Sequence, residues 1–134
     1  MSAQQIEAAA QAFADAFNHG ESPAVDVAAV AELLDEDLEV FDTVPYRFDN
    51  KKQFVNFLHG AASGLASSSF GFRQLSCRVF NDTSGIANAY DSFTGVTKAG
   101  HVQSVHGRTT LVFVKRGNHW KIVSAHFSHL PHAA

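Results

Sequence analysis

Three side chains are best suited to proton transfer. His126 follows an apolar, strand-like run, and a neutral imidazole in a partly dry pocket exchanges a proton near neutral pH. Asp42 closes a short apolar run, where burial would raise its carboxyl pKa and make it a general base. Tyr46 is a candidate donor to a substrate oxygen. The structural alternatives are a hydrogen-bonded buried histidine, a loop-capping aspartate and a tyrosine packed under the loop.

Arg108 is the natural contact for an anionic ligand such as a carboxylate. Its planar guanidinium binds a carboxylate through two parallel hydrogen bonds. The strand register derived below instead places it opposite Asp91, which favours a cross-strand ion pair on the outer face of the sheet. Arg108 therefore remains an alternative ligand contact.

Eight histidines in so short a chain raise the question of a metal site. His126, His129 and His132 recur every third residue, but positions three apart on a strand point to opposite faces. No cysteine or carboxylate is close enough in sequence to complete a coordination shell. The sequence therefore predicts neither a metal nor another cofactor, and it assigns no role to His59 and His106.

The composition points to one soluble domain. The chain has 134 residues, 46% of them hydrophobic, with twelve phenylalanines and a net charge of −3. We therefore expect a single domain over residues 1–134 with a sizeable core. The absence of a basic patch argues against nucleic-acid and membrane partners. The lone Cys77 excludes an intramolecular disulfide, and no signal peptide or membrane-length apolar run is visible, so we expect a cytoplasmic protein.

Three helices are predicted in the first half of the chain. Apolar residues spaced at i, i+4, i+7 and i+11 predict a helix over residues 2–18. Asp26 predicts the N-cap of a short helix over residues 27–35. Asn50 with Gln53 resembles a capping box and predicts the start of a third helix.

The second half switches to strand patterns. The acidic trio 35–37 is expected to be a solvated turn, and a change of face near Gln74 predicts a bulge. Strands are expected over residues 38–42, 70–80, 85–98, 101–115 and 120–129. Helices followed by antiparallel strands indicate an α+β fold, with three N-terminal helices packed on a curved, mainly antiparallel sheet.

Two turns set the expected register of the last three strands. Two-residue turns at Gly117-Asn118 and Ala99-Gly100 would pair Phe113 with Ile122 and Asp91 with Arg108. The pocket face would then carry Asn88, Tyr90, Ser92, Thr109, Leu111, Phe113, Trp120, Ile122, Ser124 and His126. The outer face would carry Ala87, Ala89, Asp91, Phe93, Arg108, Thr110, Val112, Val123, Ala125 and Phe127. A slip of one residue would exchange the two sets.

The C-terminal hairpin resembles a known family. The run Gly107-Arg108-Thr109-Thr110-Leu111-Val112-Phe113-Val114, a short turn, and Trp120-Lys121-Ile122-Val123-Ser124-Ala125-His126-Phe127-Ser128 are similar to the C-terminal signature of SnoaL-like proteins. These belong to the nuclear transport factor two-like superfamily, whose members include ketosteroid isomerase, cyclases, dehydratases and transport adaptors. The resemblance implies a cystatin-like cone with a pocket between sheet and helices, and a homodimer formed through the outer sheet face.

Three functions remain open at this point. The first is binding of a small apolar or carbonyl-containing ligand, with contacts from Asn88, Tyr90, Thr109, Trp120 and Ser124. The second is an isomerase, cyclase or dehydratase that acts on a hydrophobic carbonyl compound without a cofactor. In that enzyme His126 or Asp42 moves the proton, and Tyr46 or Tyr90 stabilises the oxyanion. The third is an adaptor that binds another protein.

Overall fold

The computed structural model describes residues 2–20 and 23–131. The helices are α1 (Ser2–Asp15), α2 (Val27–Glu32) and α3 (Lys51–Ser63). The strands are β1 (Leu34–Phe41), β2 (Arg47–Phe48), β3 (Leu65–Phe80), β4 (Ser84–Thr97), β5 (Val102–Arg116) and β6 (His119–His129). The predicted α+β class is confirmed. No helix in these two ranges is both long and apolar enough to cross a bilayer.

The six strands form one sheet in the order β2-β1-β6-β5-β4-β3. All neighbours are antiparallel except β1 and β6, which run parallel. The helices cover one face, the inner face, where the buried apolar residues cluster. The predicted cone with helices on one side of a curved, mainly antiparallel sheet is therefore the observed architecture.

Two predicted helix starts are confirmed by their caps. The Asp26 carboxylate accepts from the backbone N–H of Ala29 at 3.0 Å and begins α2. The Asn50 side chain accepts from the backbone N–H of Gln53 at 2.9 Å and begins α3. In return, the Gln53 side chain accepts from the N–H of Asp49, one residue before the usual capping-box partner. These caps fix the residue at which each helix begins.

The acidic trio 35–37 is not a turn, and the expectation of a solvated break there is wrong. It lies inside β1, which begins at Leu34 and therefore ends α2 earlier than predicted. Asp35 is buried, and the Arg116 guanidinium donates to its two oxygens at 2.9 and 3.3 Å. That pair lowers the pKa of the Asp35 carboxyl. In sequence, the three consecutive acids are typical of a loop, because the partner that allows Asp35 to be buried in a strand is distant along the chain.

The register differs from expectation at two places. The β4–β5 loop has three residues, because Thr97 N–H bonds to His101 O at 2.8 Å and Gly100 takes a φ of +90°. On β6, Phe113 pairs with Ile122 as predicted but Val112 pairs with Ser124, so Val123 is a bulge. Each feature shifts the following pairing by one residue. The Gly117-Asn118 turn and the bulge near Gln74 are as predicted.

Candidate functional site

The inner sheet face has two ends of different composition. The hairpin end lies beside the β5–β6 turn and is filled by fully buried apolar side chains from helix and sheet: Ile6, Leu38, Leu111, Phe113 and Ile122. The open end lies at the opposite ends of the same strands. Its inward residues are Asp42, Asp91, Gly107, Phe127 and His129, by their alternation with buried neighbours along each strand. Titratable groups are therefore concentrated at the open end.

Asp91 is the most enclosed acid of the open end. Its side chain lies on the inner face of β4 and is 5% exposed. The Thr109 hydroxyl, on β5, donates a short hydrogen bond to one carboxylate oxygen. Burial raises the pKa of the Asp91 carboxyl, although the Thr109 hydrogen bond and nearby positive charges oppose the shift. Such an acid is poised to hold a proton at a higher pH than an exposed aspartate.

Gly107 makes room for this carboxylate. It pairs with Asp91 on β4 and with His129 on β6. A Cβ at Gly107 would stand 3.1 and 3.4 Å from the two Asp91 oxygens and 2.4 Å from the Ser128 carbonyl oxygen. Phe72 pairs with Asp91 on its other side. We call the four paired positions Phe72, Asp91, Gly107 and His129 the cross-strand row.

Asp42 lies next to this row, just after β1. One of its oxygens accepts from the Thr43 backbone N–H at 2.7 Å, so it also caps the loop as the structural alternative required. Burial is the largest cause that raises the pKa of the Asp42 carboxyl, and the Asp91 charge raises it further. The His129 charge lowers the pKa of both acids. The two carboxyls and the imidazole therefore form one electrostatic group.

Aromatic rings flank the acids on both sides. One cluster runs from Phe13 in α1 to the sheet, with Phe127 stacked on Phe13 at 5.9 Å and Phe70 edge-on to Phe72 at 5.1 Å. A second cluster joins β2 to α3 through Phe48, Phe54 and Phe57. Phe57, Phe70, Phe72 and Phe127 all remain partly exposed, unlike the apolar residues of the hairpin end. Partly exposed rings beside desolvated acids are the composition of a ligand site.

A shallow depression of about 400 Å³ opens at the ends of β1 and β6. Its lining comes from both faces of the sheet edge: Phe41, Asp42, Thr43, Val44, His126, Phe127, Ser128 and His129. Predicted catalytic candidates Asp42 and His126 therefore meet at one depression. They approach it from opposite faces of the sheet.

Five residues predicted to face the pocket lie on the outer face instead, and the predicted orientation is wrong for them. Asn88, Tyr90 and Ser92 are reversed by the three-residue β4–β5 loop, and Ser124 and His126 by the bulge at Val123. The His126 ring lies on the outer side against Phe41, 5.7 Å between centroids. The same shifts turn six residues inward that were expected outside: Ala87, Ala89, Asp91, Phe93, Ala125 and Phe127.

The other predicted contacts are divided between the two ends. Thr109 is inward as predicted and holds Asp91. Trp120 is also inward but belongs to the hairpin end, where its indole N–H donates to the Gln5 side chain at 2.9 Å. Tyr46 is 56% exposed in the β1–β2 loop and packs edge-on against Phe48. Of the residues Thr109, Trp120 and Tyr46, Thr109 alone contacts the cross-strand row.

Arg108 lies on the outer face as predicted, but not opposite Asp91. Its cross-strand partner is Tyr90, and Asp91 is paired with Gly107. The predicted ion pair between Arg108 and Asp91 is therefore wrong. The alternative role of Arg108 as a ligand contact stays a prediction, and any such contact would lie on the outer face, opposite to the side of Asp42 and Asp91.

The remaining histidines do not converge. His59 is exposed on α3, and His106 lies on the outer face with its Nδ1 3.0 Å from the Ser92 hydroxyl. His129 belongs to the open end, whereas His132 lies outside the described residues. Within the described ranges, no group of three or more histidine, cysteine or acidic side chains is arranged to hold a metal ion.

Sequence reasoning missed Asp91 and Gly107 as site residues. The signal available was the alternation Ala87, Ala89, Asp91, Phe93, which places one acid in a row of small and apolar inward residues. It was assigned to the outer face because the loop length was wrong by one residue. The glycine in mid-strand was a second signal, since an interior strand glycine often marks a close approach.

The chain belongs to the SnoaL-like domain family, whose model matches residues 6–133. None of the curated proteins compared with it matches in sequence. Solved structures that share this fold include proteins described as NTF2-like.

Three solved structures illustrate the range of these neighbours. A candidate dehydratase of the NTF2-like family from Streptomyces avermitilis is 14% identical, with a TM-score of 0.81 over 96% of this chain and 97% of that one. An uncharacterised protein with a cystatin-like fold from Caulobacter vibrioides is 21% identical, with a TM-score of 0.77 over 96% and 89%. The association domain of C. elegans CaMKII is 14% identical, with a TM-score of 0.72 over 93% of both chains. At these identities the likeness concerns the fold alone.

Proposed function

We propose that this SnoaL-like chain binds a small, apolar carbonyl compound at the open end and moves a proton next to its carbonyl group. One observation carries the proposal. Two carboxyls, Asp42 and Asp91, have their pKa raised by burial and lie near two aromatic clusters, each of which contains at least one partly exposed ring. Paired acids with perturbed pKa in an apolar recess are typical of acid–base sites.

Asp42 is the proposed general base, as the sequence suggested. A raised carboxyl pKa makes its carboxylate a stronger base for a carbon acid than an exposed aspartate. The C–H bond next to the carbonyl breaks, its proton goes to Asp42, and its electron pair moves to the carbonyl oxygen. Return of the proton at another carbon gives isomerisation, and loss of hydroxide from the β carbon gives dehydration.

Asp91 replaces the tyrosines as the proposed partner of the developing oxyanion. A carboxyl that is buried and raised in pKa remains protonated at a higher pH and donates a hydrogen bond. Tyr90 is on the outer face beneath Arg73, and Tyr46 is exposed, so neither is directed at the same recess as Asp42. The division of work between a base and a neutral acid follows from two carboxyls that repel each other's charge.

The aromatic clusters define the class of ligand. Rings on both sides of the acids favour a flat apolar body, and the acids require one polar oxygen at its end. An aromatic or polycyclic ketone meets both conditions. A dehydratase among the structural neighbours is consistent with this chemistry.

The proposal is tested by proton–deuterium exchange on a panel of aromatic and polycyclic ketones, followed by NMR. We expect Asp42→Asn to lower the exchange rate by about 100-fold or more, the usual contribution of a general base. Glu39→Gln is the matched control, since Glu39 lies on the same strand but points outward. His126→Ala should retain the wild-type rate.

Exchange rates for Asp42→Asn equal to those of Glu39→Gln would remove Asp42 from catalysis. A wild-type protein that exchanges no ketone but retains an apolar molecule in native mass spectrometry would be a ligand-binding protein without this chemistry. A protein that neither exchanges ketone protons nor retains an apolar molecule would favour the third function, an adaptor that binds another protein.

We also propose that the outer sheet face forms a homodimer. Its centre carries Ile86 and Val112, which pair across β4 and β5, beside the Asn88–Thr110 hydrogen bond of 2.6 Å. The face is more polar than the sequence suggested, because the register shift moved alanines and phenylalanines inward. Polar pairs around an apolar centre suit a self-complementary interface.

Sedimentation at micromolar concentration tests the dimer. Val112→Arg should give monomers, whereas Ala61→Arg, on the exposed side of α3, should sediment as the wild type. A wild-type protein that sediments only as a monomer would contradict this proposal and leave the open-end chemistry unaffected.

A further inference from the structure

The acid that the proposed reaction needs in its protonated form is the one most shielded from water. Asp91 is 5% exposed and lies on the inner face of β4. In the dehydration branch of that reaction, the departing hydroxide takes the Asp91 proton and leaves as water, so a proton must return to Asp91 before the next turnover. Direct exchange with bulk solvent is restricted at such a position, so a titratable group nearer the surface is required to carry the proton.

The cross-strand row provides a path in one direction. Asp91 pairs with Gly107, and Gly107 pairs with His129, so the three residues lie side by side on the inner face. Because Gly107 has no side chain, nothing on β5 stands between the carboxyl and the imidazole. Phe72 closes the opposite side of Asp91. The only polar neighbour along the row is therefore His129, whose side chain is exposed and lines the depression.

Other charged groups that influence Asp91 are placed differently. His106 and Arg73 also lower the pKa of its carboxyl, but both point to the outer face, where His106 contacts Ser92 and Arg73 stacks over Tyr90. Asp42 shares the inner face and carries negative charge. Thr109 is a hydroxyl that has no titration in this range. His129 is the positively chargeable side chain that shares the inner face and reaches solvent.

We propose that His129 is the proton relay of this site, carrying protons between solvent and the buried Asp91 carboxyl across the gap at Gly107. The inference rests on the proposed function and extends it by one residue. The Asp91 carboxylate takes a proton from the imidazolium of His129, which becomes neutral imidazole, and the imidazole then takes a proton from water or buffer. His129 acts through Asp91 and is a positioning residue in that sense, since it does not touch the substrate.

The span is short enough for this transfer. With neighbouring strands about 4.8 Å apart, the Cα atoms of Asp91 and His129 are roughly 10 Å apart. The two side chains lie on the inner face, one on each side of Gly107, and a proton passes between such titratable groups through intervening water. A side chain at position 107 would interrupt this line.

The first test needs no substrate. Protein labelled with carbon-13 at the aspartate carboxyls is titrated by NMR as wild type, His129→Gln and His126→Gln. The positive charge of His129 lowers the pKa of the Asp91 carboxyl, so its loss in His129→Gln should raise that pKa. His126→Gln is the matched control, three residues earlier on β6 and on the outer face, and should leave Asp91 unchanged. Equal Asp91 titrations in the two variants would overturn the relay.

The second test measures the dehydration of a panel of β-hydroxy ketones, because that branch of the reaction consumes the Asp91 proton. At low buffer concentration, His129→Ala should reduce the dehydration rate about tenfold, and added imidazole should restore it while leaving the wild-type rate unchanged. A merely structural role would give a loss that imidazole does not repair, and that result would overturn the relay. Wild-type activity with an unaffected His129→Ala rate would remove the relay alone. A wild type inactive on every ketone would remove the proposed reaction, and the relay with it, whatever the titration shows.

Discussion

At the hairpin end of the sheet, Asp35 is buried beside Arg116, which donates to both of its oxygens and lowers the pKa of its carboxyl. At the open end, Asp91 is buried with a threonine hydroxyl as its direct donor, and burial raises the pKa of its carboxyl. Both acids are less than one-tenth exposed. The same type of side chain, enclosed to a similar extent, thus has its carboxyl pKa lowered at one end and raised at the other.

This difference separates the stabilising part of the fold from the part available for chemistry. The hairpin end combines apolar packing with a satisfied ion pair, which is the usual way to bury a charge. The open end leaves acids partly uncompensated and aromatic rings partly exposed, which costs stability and is typical of functional sites. Four experiments test whether the two ends differ in this way.

The largest expected effect is the loss of packing at the hairpin end. Phe113→Ala removes a fully buried ring and should lower the free energy of unfolding by about 3–5 kcal/mol. The matched change Phe72→Ala at the open end should cost less than half as much, because that ring is already partly exposed. Urea unfolding measures both. Equal losses would show that the open end is packed as tightly as the hairpin end.

The second effect concerns the glycine of the cross-strand row. Gly107→Ala places a methyl group 2.4 Å from the Ser128 carbonyl oxygen, so β5 and β6 must separate locally, at a cost of about 2 kcal/mol. Gly71→Ala is the control, since a Cβ there meets nothing within 4 Å. Thermal unfolding compares the two. A Gly107→Ala protein as stable as Gly71→Ala would contradict the close approach of these strands.

The third effect is a gain. Asp91→Asn should raise the free energy of unfolding by roughly 1 kcal/mol at pH 8. In the wild type the pKa of the Asp91 carboxyl is raised in the folded state. Above about pH 4, the pKa of an aspartate in the unfolded chain, the folded protein therefore holds a proton that the unfolded chain has lost. The free energy of unfolding falls as pH rises through this window and stops falling above the folded-state pKa. The advantage of the variant should therefore appear above pH 4 and grow toward its plateau. The exposed Asp15→Asn serves as control, and a variant advantage independent of pH would refute the raised pKa.

The smallest expected effect is a loss of stability. It is largest near neutral pH and shrinks in acid, whereas the effect of Asp91→Asn is a gain. Arg116→Ala should destabilise the protein most near neutral pH, because the lowered pKa of Asp35 contributes stability above the unfolded pKa and loses it as pH falls through the folded pKa. The difference from wild type should shrink in acid. Arg78→Ala, on exposed β3, is the control for loss of one positive charge. A deficit that grows in acid would mean that Asp35 is not the partner of Arg116.

Much of the fold was accessible from local signals. Helix caps at Asp26 and Asn50, the turn at Gly117-Asn118 and the bulge near Gln74 depend on a few adjacent residues, and each was predicted. The acidic trio in β1 was not, because its burial depends on Arg116, 81 positions away from Asp35. A contact of that separation leaves no trace in a local pattern.

The site was less accessible for a related reason. The strand position of Thr109 predicts its inward orientation correctly, whereas the orientation of Asp91 depends on the length of a loop and that of His126 on the bulge at Val123. The β4–β5 loop is one residue longer than predicted, and the bulge at Val123 adds one unpaired residue. Each difference reverses which side chains of the affected strand segment point inward. Face assignment is an alternating quantity, so a small error in counting reverses it completely.

The bulge at Val123 also bears on how this strand tolerates changes of length. Ile122 and Ala125 both point inward although they are three residues apart, so one residue between them is surplus to the alternation. A gene that loses the codon for Val123 would encode a regular strand in which Phe127 and His129 still face the recess. A codon inserted between Ala125 and His126 would turn the end of the strand over and direct His129 outward. For β6, deletion of Val123 is thus expected to change the site less than an insertion between Ala125 and His126.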